Sequence, residues 1–355
     1  MIMFKCFKIL CFIVAVMQNT LSYSFPIQDD HTPGTGPIKF KKQSHFWMRF
    51  DTGGVDTQTK TSPPDSVYID RRIESFLMVG GETVLSSGKM GLRFNFKNFV
   101  LKQKGEEADP PKSPKSHEKI ESQPAFDFTY VNHKGLELFA GIMFKLINSE
   151  KSKIESTVAS STINYQDVSL FAPRIGLVRR GGRWSGGFYY VQGKEVSRSF
   201  SNKSSDGTSL SDTSYVHIPS EYGIVAEFGL GNSTVTFDFA NVQESEGGER
   251  TSTGHTVRDD YLRIFLSSFL PLSSGLGLNF GLGHKTLSYS SNAYAGVDTI
   301  PITTFKLLGV LGSPEQQVYA GVIFGYGKDG ADITEYKARF SFQAIALSFG
   351  LFYPI

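Results

Sequence analysis

Residues 135–148, GLELFAGIMFKLIN, alternate large apolar side chains with small or charged ones. The even positions 136 to 146 are all apolar, whereas the odd positions include Glu137, Gly141 and Lys145. Because successive side chains of a β-strand point to opposite faces, this stretch predicts a strand with one apolar face and one polar or glycine face.

The same alternation recurs along the chain, in KMGLRFNFKNF (89–99), YVHIPSEYGIVAEFGL (215–230) and TEYKARFSFQA (334–344). In the second of these, Val216 and Ile218 are expected to share the apolar face of the residues that follow them. The apolar faces run over roughly nine to eleven residues, the length of a tilted strand that crosses a membrane. Aromatic residues also gather near strand ends, as Phe126 and Tyr130 do, which is typical of interfacial girdles.

Short and long connections alternate between the predicted strands. The long ones are polar, and the clearest is KGEEADPPKSPKSHEKIESQP (104–124), with four prolines and dense mixed charge. We therefore predict an all-β fold, an antiparallel transmembrane β-barrel of about 14 strands (12–16), with short periplasmic turns and longer extracellular loops.

At the level of architecture, these patterns resemble a Gram-negative outer-membrane β-barrel of the porin-like kind, over residues 44–355. Such barrels often end on an aromatic strand that the barrel-insertion machinery reads, and ALSFGLFYPI (346–355) is similar to such an ending. It departs from the commonest form, a terminal Phe, because the last residues are Tyr353, Pro354 and Ile355. The resemblance implies the outer membrane as location, its lipids as surroundings and the insertion machinery as a partner.

The first 24 residues are predicted to be a signal peptide, with two lysines before a short apolar run and cleavage near Ser24. Residues 25–43 are expected to form a periplasmic tail or a small plug. Both cysteines, Cys6 and Cys11, fall in the predicted signal peptide, so the mature chain has no disulfide and no thiolate chemistry.

A net charge of +2 gives no reason to expect a nucleic-acid partner. No pair of histidines has the spacing of a metal site, and no cofactor is expected. The sequence leaves the oligomeric state open.

Two stretches resemble catalytic motifs, and neither is complete. Asp51-Thr52-Gly53 matches an aspartic-protease loop, but that chemistry needs a second carboxylate and the chain has no second copy. His284 lies six residues before Ser290, about 20 Å along a strand, which is too far to activate it. We predict that the protein is not an enzyme.

The polar faces carry charges of both signs, which a water-filled lumen accommodates at less cost than a dry core does. The residues predicted to line the lumen are Arg72, Arg93, Lys97, Glu137, Lys145, Arg263, Lys337 and Arg339. A second feature is a smooth lumen patch formed by Gly277, Asn279 and Gly281, where a neighbour, a plug or a solute can approach the backbone closely.

These features favour a porin-like channel for passive diffusion of small hydrophilic solutes. The alternatives are a transporter of hydrophobic substrates of the fatty-acid type, and a surface structural or adhesion barrel. A transporter of hydrophobic substrates requires a plug and an apolar internal pocket. The nature of the barrel interior therefore decides between this transporter and the porin-like channel.

Overall fold

Alternation along the sequence becomes alternation of burial in the computed structural model. Strand β7, for example, switches between exposed and buried side chains at every residue from Ser169 to Arg179. The structure describes residues 44–61, 66–85, 89–108, 111–132, 135–155, 160–179, 184–205, 207, 209–230, 233–243, 249–250, 256–291, 294–313, 316–328 and 339–354. The predicted signal peptide and the segment 25–43 lie outside these residues.

The described residues form eighteen β-segments. They are β1 His45–Thr61, β2 Ser66–Val84, β3 Met90–Ala108, β4 Pro111–Val131, β5 Leu136–Glu155, β6 Ser160–Tyr165, β7 Val168–Arg179, β8 Trp184–Val191, β9 Lys194–Ser204, β10 Ser209–Ile218, β11 Ser220–Leu230, β12 Ser233–Gln243, β13 Glu249–Arg250, β14 Thr256–Ser273, β15 Leu276–Ser291, β16 Tyr294–Ser313, β17 Gln316–Lys328 and β18 Arg339–Pro354. No helix long and apolar enough to cross a membrane is found among the described residues.

The sheet closes on itself as an antiparallel ring. In the described part of the chain, fourteen strands follow one another around it: β1, β2, β3, β4, β5, β7, β8, β11, β12, β14, β15, β16, β17 and β18. The last strand pairs with the first from His45↔Pro354 to Lys60↔Arg339, which removes the free edges of the sheet. The predicted antiparallel barrel of about fourteen strands is confirmed.

The long polar segments differ from their prediction as loops. Much of each continues as paired strand: β3 and β4 stay in register from Met90↔Tyr130 to Ala108↔Pro111, through the proline-rich segment. Strand β1 likewise continues through Gly53 and Gly54 to Thr61. The asymmetry between the two ends of the barrel therefore arises from long hairpins at one end and tight turns at the other.

The outward face of the ring is a belt of exposed apolar side chains, among them Leu138, Ile142, Phe171 and Ile175. Exposing so much apolar surface to water is costly, whereas the hydrocarbon of a bilayer accepts it without loss. The inward face mixes charged, glycine and apolar residues, and most of its described side chains are buried.

Candidate functional site: a gap in the barrel wall beside an apolar interior

The hydrogen-bonded wall is interrupted between two neighbouring strands. Strand β7 pairs with β8 up to Arg174↔Val191, and β6 pairs with β9 up to Tyr165↔Phe200. The Gln192 N–H donates to Pro173 O at 3.0 Å and the Gln166 N–H donates to Ser199 O at 3.0 Å, closing the two ends. Between these bonds, residues 167–172 and 193–198, all described, form no ladder pairs with each other. We call this interruption the wall gap.

The wall gap lies where three strands are interrupted side by side. The segments β6–β7, β8–β9 and β10–β11 are separated by residues 166–167, by residues 192–193 and by Pro219. The neighbouring strand β5 carries an irregularity at the same height, where its pairing with β4 shifts register at Ile120. Proline has no N–H to donate, so it weakens the ladder and is tolerated at such interruptions.

Each interruption exchanges the inward and outward faces of the chain. In β11 the even-numbered residues Tyr222 and Ile224 are exposed, whereas in β10 the even-numbered Val216 and Ile218 are buried. The expectation that Val216 and Ile218 share an outward apolar face with the residues after Pro219 is therefore wrong. The exchange at Pro219 places both side chains in the barrel interior.

An apolar cluster fills the interior next to the wall gap. Met143 and Ile147 of β5, Leu170 and Ala172 of β7, and Ile218 of β10 are each no more than 2% exposed. Among the described residues, the buried members of the cluster are Ala125, Phe139, Met143, Ile147, Leu170, Ala172, Val178, Tyr189, Val191, Val216, Ile218 and Val225. Leu170 and Ala172 belong to the segment that borders the wall gap, so the cluster and the gap adjoin.

Two ion pairs lie at the tight-turn end of this cluster, at the height of Phe139 and Val178. The Arg174 guanidinium donates to both carboxylate oxygens of Asp127 at 2.6 Å, from Nε and from the second terminal nitrogen. Arg93 donates to Glu137 at 3.0 Å, and both side chains are almost fully buried. The bidentate pair of Arg174 and Asp127 is held by geometry as well as by charge.

The Asp127–Arg174 pair depends on a glycine between its partners. Strand β5 separates β4 from β7, and Gly141 is the β5 residue opposite both Asp127 and Arg174. A Cβ added to Gly141 would meet the Asp127 carboxylate and the Phe126 carbonyl oxygen. The missing side chain therefore leaves the space in which Arg174 reaches across β5.

A second set of charges begins towards the long hairpins, at the height of Ile147 and Leu170. The Glu121 carboxylate contacts Lys119 at 2.9 Å and Lys145 at 3.7 Å. Glu150 contacts Arg198 at 2.9 Å. Of the apolar cluster, Ala125, Met143 and Ala172 lie between the two sets of charges, which border them along the barrel as two charged layers.

Three further contacts hold the interrupted strands in place. Lys145 Nζ donates to the His217 carbonyl oxygen at 3.1 Å, joining β5 to β10 across the interior. The Lys194 ammonium lies 4.1 Å from the centre of the Phe171 ring, across the wall gap. The Gly193 N–H donates to Ser220 Oγ at 3.0 Å, bridging the interruptions of two strands.

The predicted lumen-lining residues divide into those whose side chains are described and those that are not. Arg93, Lys97, Glu137 and Lys145 all lie on the inward face, where Lys97 stands 4.9 Å from the centre of the Phe76 ring. The side chains of Arg72, Arg263 and Arg339 are not described, and Lys337 lies outside the described residues. Whether any of these residues faces a water-filled path stays a prediction.

The predicted smooth patch lies in β15, on the inward face. Gly277, Asn279 and Gly281 are buried, while Leu276 and Leu282 beside them are exposed. Asn279 is 2% exposed, and its Oδ1 has no hydrogen-bond partner among the described residues. That a solute or a plug approaches this patch stays a prediction.

The two motif-like stretches do not assemble catalytic groups among the described residues. Asp51 is buried and accepts a hydrogen bond from Arg49 Nε at 2.8 Å, so its carboxylate is engaged in an ion pair. His284 is exposed, on the same outward face as Leu282. Within the described residues, no group of three or more His, Cys, Asp or Glu side chains is placed to hold a metal ion.

Comparison with solved structures identifies the architecture. The Pseudomonas putida toluene transporter TodX superposes with a TM-score of 0.57 at 11% identity, over 89% of this chain and 91% of that one. A Pseudomonas aeruginosa FadL homologue gives 0.60 at 10% identity, over 88% and 90%. The protein has the fold of an outer-membrane β-barrel.

A third barrel extends this comparison. The Ralstonia pickettii toluene transporter TbuX matches with a TM-score of 0.53 at 7% identity, over 89% of this chain and 90% of that one. No family model matches the sequence, and no curated protein matches it either. At such identities the likeness establishes the outer-membrane barrel fold, and the residues of the site have to be interpreted from this chain alone.

Sequence reasoning missed the wall gap and the apolar interior. Its analysis of 135–148 recorded Glu137, Gly141 and Lys145 on the polar face and passed over the apolar residues Phe139, Met143 and Ile147 on that same face. A signal for the face exchange was present at Pro219, since a proline inside an alternating run marks an edge or an irregularity.

Proposed function

We propose that this barrel conducts small apolar molecules across the outer membrane, passing them between its interior and the surrounding hydrocarbon through the wall gap. The observation that carries the proposal is the contact of the apolar cluster with the gap, through Leu170 and Ala172. This is the hydrophobic-substrate alternative of the sequence analysis.

The chemistry of the interior favours apolar over charged solutes. A solute that enters the cluster exchanges water for contact with Met143, Ile147 and Leu170, which stabilises apolar surface by roughly 25 cal/mol per Å². An ion in the same place loses its hydration and gains no partner, at a cost of several kcal/mol. The charged layers on both sides are already paired and need no solute to satisfy them.

The wall gap gives such a solute an exit into the bilayer. Elsewhere in the described ladders of the ring, paired strands are only about 4.8 Å apart, which leaves no room between them. At the gap, exposed Phe171 stands on the outward face of one rim, and Val196, which pairs with the interior residue Val216, stands on the inward face of the other.

The cluster is closed in this structure, so passage requires a movement. The β9–β10 hairpin carries Val216 and Ile218 into the interior and is tied to β5 by the contact from Lys145 to His217. An outward displacement of this hairpin vacates the space next to Leu170. Solved barrels of the same fold include toluene transporters and a monoaromatic hydrocarbon channel, which agrees with a small apolar substrate.

The experiment is uptake of radiolabelled toluene by proteoliposomes, compared with ion conductance in planar bilayers. Val196→Trp places a large side chain on the rim of the gap and is expected to reduce toluene uptake about tenfold. Val322→Trp, on the lipid-facing side of β17 and similarly exposed, is the matched control and leaves uptake unchanged.

Two results would overturn this function. One is wild-type uptake by Val196→Trp in correctly folded protein. The other is the absence of toluene uptake by the wild type together with large, stable conductance steps. The second result would identify a channel for hydrophilic solutes. That function stays a prediction of the sequence analysis, and so does surface adhesion.

A further inference from the structure

A group of exposed lysines lies on the outer surface of the barrel, on the hairpins β3–β4 and β5–β6 and on β9. Lys102, Lys151, Lys153 and Lys203 are exposed, and each occupies the outward position of its strand. We call these four residues the basic patch. None of them belongs to the wall gap or to the interior layers.

The pairing register brings the four lysines together. Lys102 and Lys151 both pair with Glu118, and so stand on either side of β4. Lys153 and Lys203 both pair with Thr162, and so stand on either side of β6. With strands about 4.8 Å apart and a rise of about 3.3 Å per residue, each flanking pair is about 10 Å apart, and Lys151 and Lys153 are separated by about 7 Å along β5.

The patch begins where the lipid-facing belt ends. On β4 the outward residue Ile120 is exposed and apolar, and the next outward residue towards the hairpin is Glu118. On β5 the outward apolar residues end at Leu146, and after the irregularity the outward positions are Ser149, Lys151 and Lys153. The surface therefore changes from apolar to basic within one or two outward positions, which matches the change from acyl chain to headgroup in a lipid.

Charge selects the kind of headgroup. The described outward charges here are four lysines and one carboxylate, Glu118, which is paired on both sides with lysine-bearing positions. Lys153 and Lys203 stand in the other row, opposite a neutral threonine. A juxtamembrane basic cluster attracts anionic lipid, whereas a zwitterionic headgroup offers no net charge to it.

We infer that the basic patch binds the phosphorylated headgroup of an anionic membrane lipid, whose acyl chains lie against the apolar belt below. A soluble anion contacts the lysines but leaves the adjoining apolar belt without a partner. An acidic protein segment likewise has no acyl chain to cover that belt. The occupant is therefore an amphiphile of the leaflet at the long-hairpin end of the barrel.

The test is native mass spectrometry of the barrel in micelles that contain equimolar phosphatidic acid and phosphatidylcholine. The wild type is expected to retain phosphatidic acid preferentially. Lys153→Gln with Lys203→Gln is expected to lower that preference about tenfold at low salt, and added salt weakens it in the wild type. Lys89→Gln with Arg179→Gln removes the same charge at the tight-turn end and leaves the preference unchanged.

Folding is checked separately by the heat-dependent shift of the barrel on gel electrophoresis, because all four substituted positions are exposed and should not alter it. An equal phosphatidic acid preference in the wild type and the Lys153/Lys203 variant overturns the inference. So does displacement of the lipid by millimolar pyrophosphate or by a polyglutamate peptide, since either result assigns the patch to a soluble partner. The toluene assay is independent of this outcome.

Discussion

At the scale of single residues, inward glycines determine how the interior packs. The Tyr189 ring lies against Gly223, and the Phe139 ring lies against Gly176, at positions where an added Cβ would overlap the ring. The sequence analysis expected inward glycines to admit a large neighbour at Gly277 and Gly281, and the same principle operates at these other strands. Side chains from neighbouring strands thus lie flat along the inner wall.

The first prediction concerns Gly141→Ala. The new methyl group meets the Phe126 carbonyl oxygen and the Asp127 carboxylate, so the backbone or the ion pair has to move. We expect the free energy of unfolding to fall by about 1 to 3 kcal/mol. Urea titration of the barrel in lipid vesicles measures it.

Gly309→Ala is the control for that substitution. The nearest described atom to its added Cβ is the Ala320 carbonyl oxygen at 3.7 Å, an ordinary contact. This variant is expected to be as stable as the wild type or slightly more stable, because alanine loses less backbone conformational entropy on folding than glycine does. Equal loss of stability in both variants contradicts the role assigned to Gly141.

The second prediction concerns the buried pair of Arg93 and Glu137, which the sequence placed on the lumen wall as separate charges. Glu137→Leu leaves the Arg93 guanidinium buried beside the Phe139 ring without its carboxylate, at an expected cost of about 3 to 5 kcal/mol in unfolding free energy. Arg93→Leu combined with Glu137→Leu removes both charges and is expected to recover most of this loss. If the double variant is no more stable than Glu137→Leu, the two side chains are not coupled.

At the scale of strands, period-2 alternation correctly predicted the lipid-facing residues of the uninterrupted strands. Leu92 and Phe94 of β3 are outward and exposed, and Arg93 between them is inward and buried. The prediction failed at Val216 and Ile218, because periodicity assumes that one strand keeps one face throughout. Whether a strand is interrupted depends on its neighbours, and β6–β7, β8–β9 and β10–β11 are interrupted together.

The third prediction concerns backbone protection at the wall gap. Segment 193–198 has a paired neighbour, β10, on only one side, so alternate amides should lack a ladder acceptor. In contrast, residues 186–191 pair with β7 on one side and β11 on the other. We expect alternate amides within 193–198 to exchange with deuterium at least about tenfold faster than those of 186–191.

Residue-resolved hydrogen exchange by NMR on the folded barrel in detergent micelles distinguishes these cases. Amides of 196–198 that donate to β10 serve as internal controls, because their ladder with residues 214–216 is intact. Uniform slow exchange throughout 193–198 would mean that the two strands are bonded in solution and that no gap persists.

At the scale of the whole molecule, the closure of the ring could be predicted from the sequence, whereas the packing of side chains inside the barrel could not. Strand number and order follow from local patterns and turn spacing, and both the fourteen-strand ring and the antiparallel order agree with the sequence analysis. The interior depends on contacts between residues far apart in the chain, such as Asp127 with Arg174 and Lys145 with His217. Composition alone does not distinguish paired charges around an apolar layer from charges around water.

The last prediction concerns residues 25–43, expected from the sequence to be a periplasmic tail or a small plug. Every strand of the ring lies within His45–Pro354, so a mature chain that lacks 25–43 is expected to form the same heat-modifiable barrel. The apolar cluster is built from ring strands and β10 alone, so it should still fill the interior beside the wall gap. We therefore expect toluene uptake to stay within about twofold of the intact chain, with no new conductance steps. If the shortened chain folds but opens large, stable ion currents, the segment is a plug that blocks a hydrophilic path, and the barrel conducts ions once it is removed.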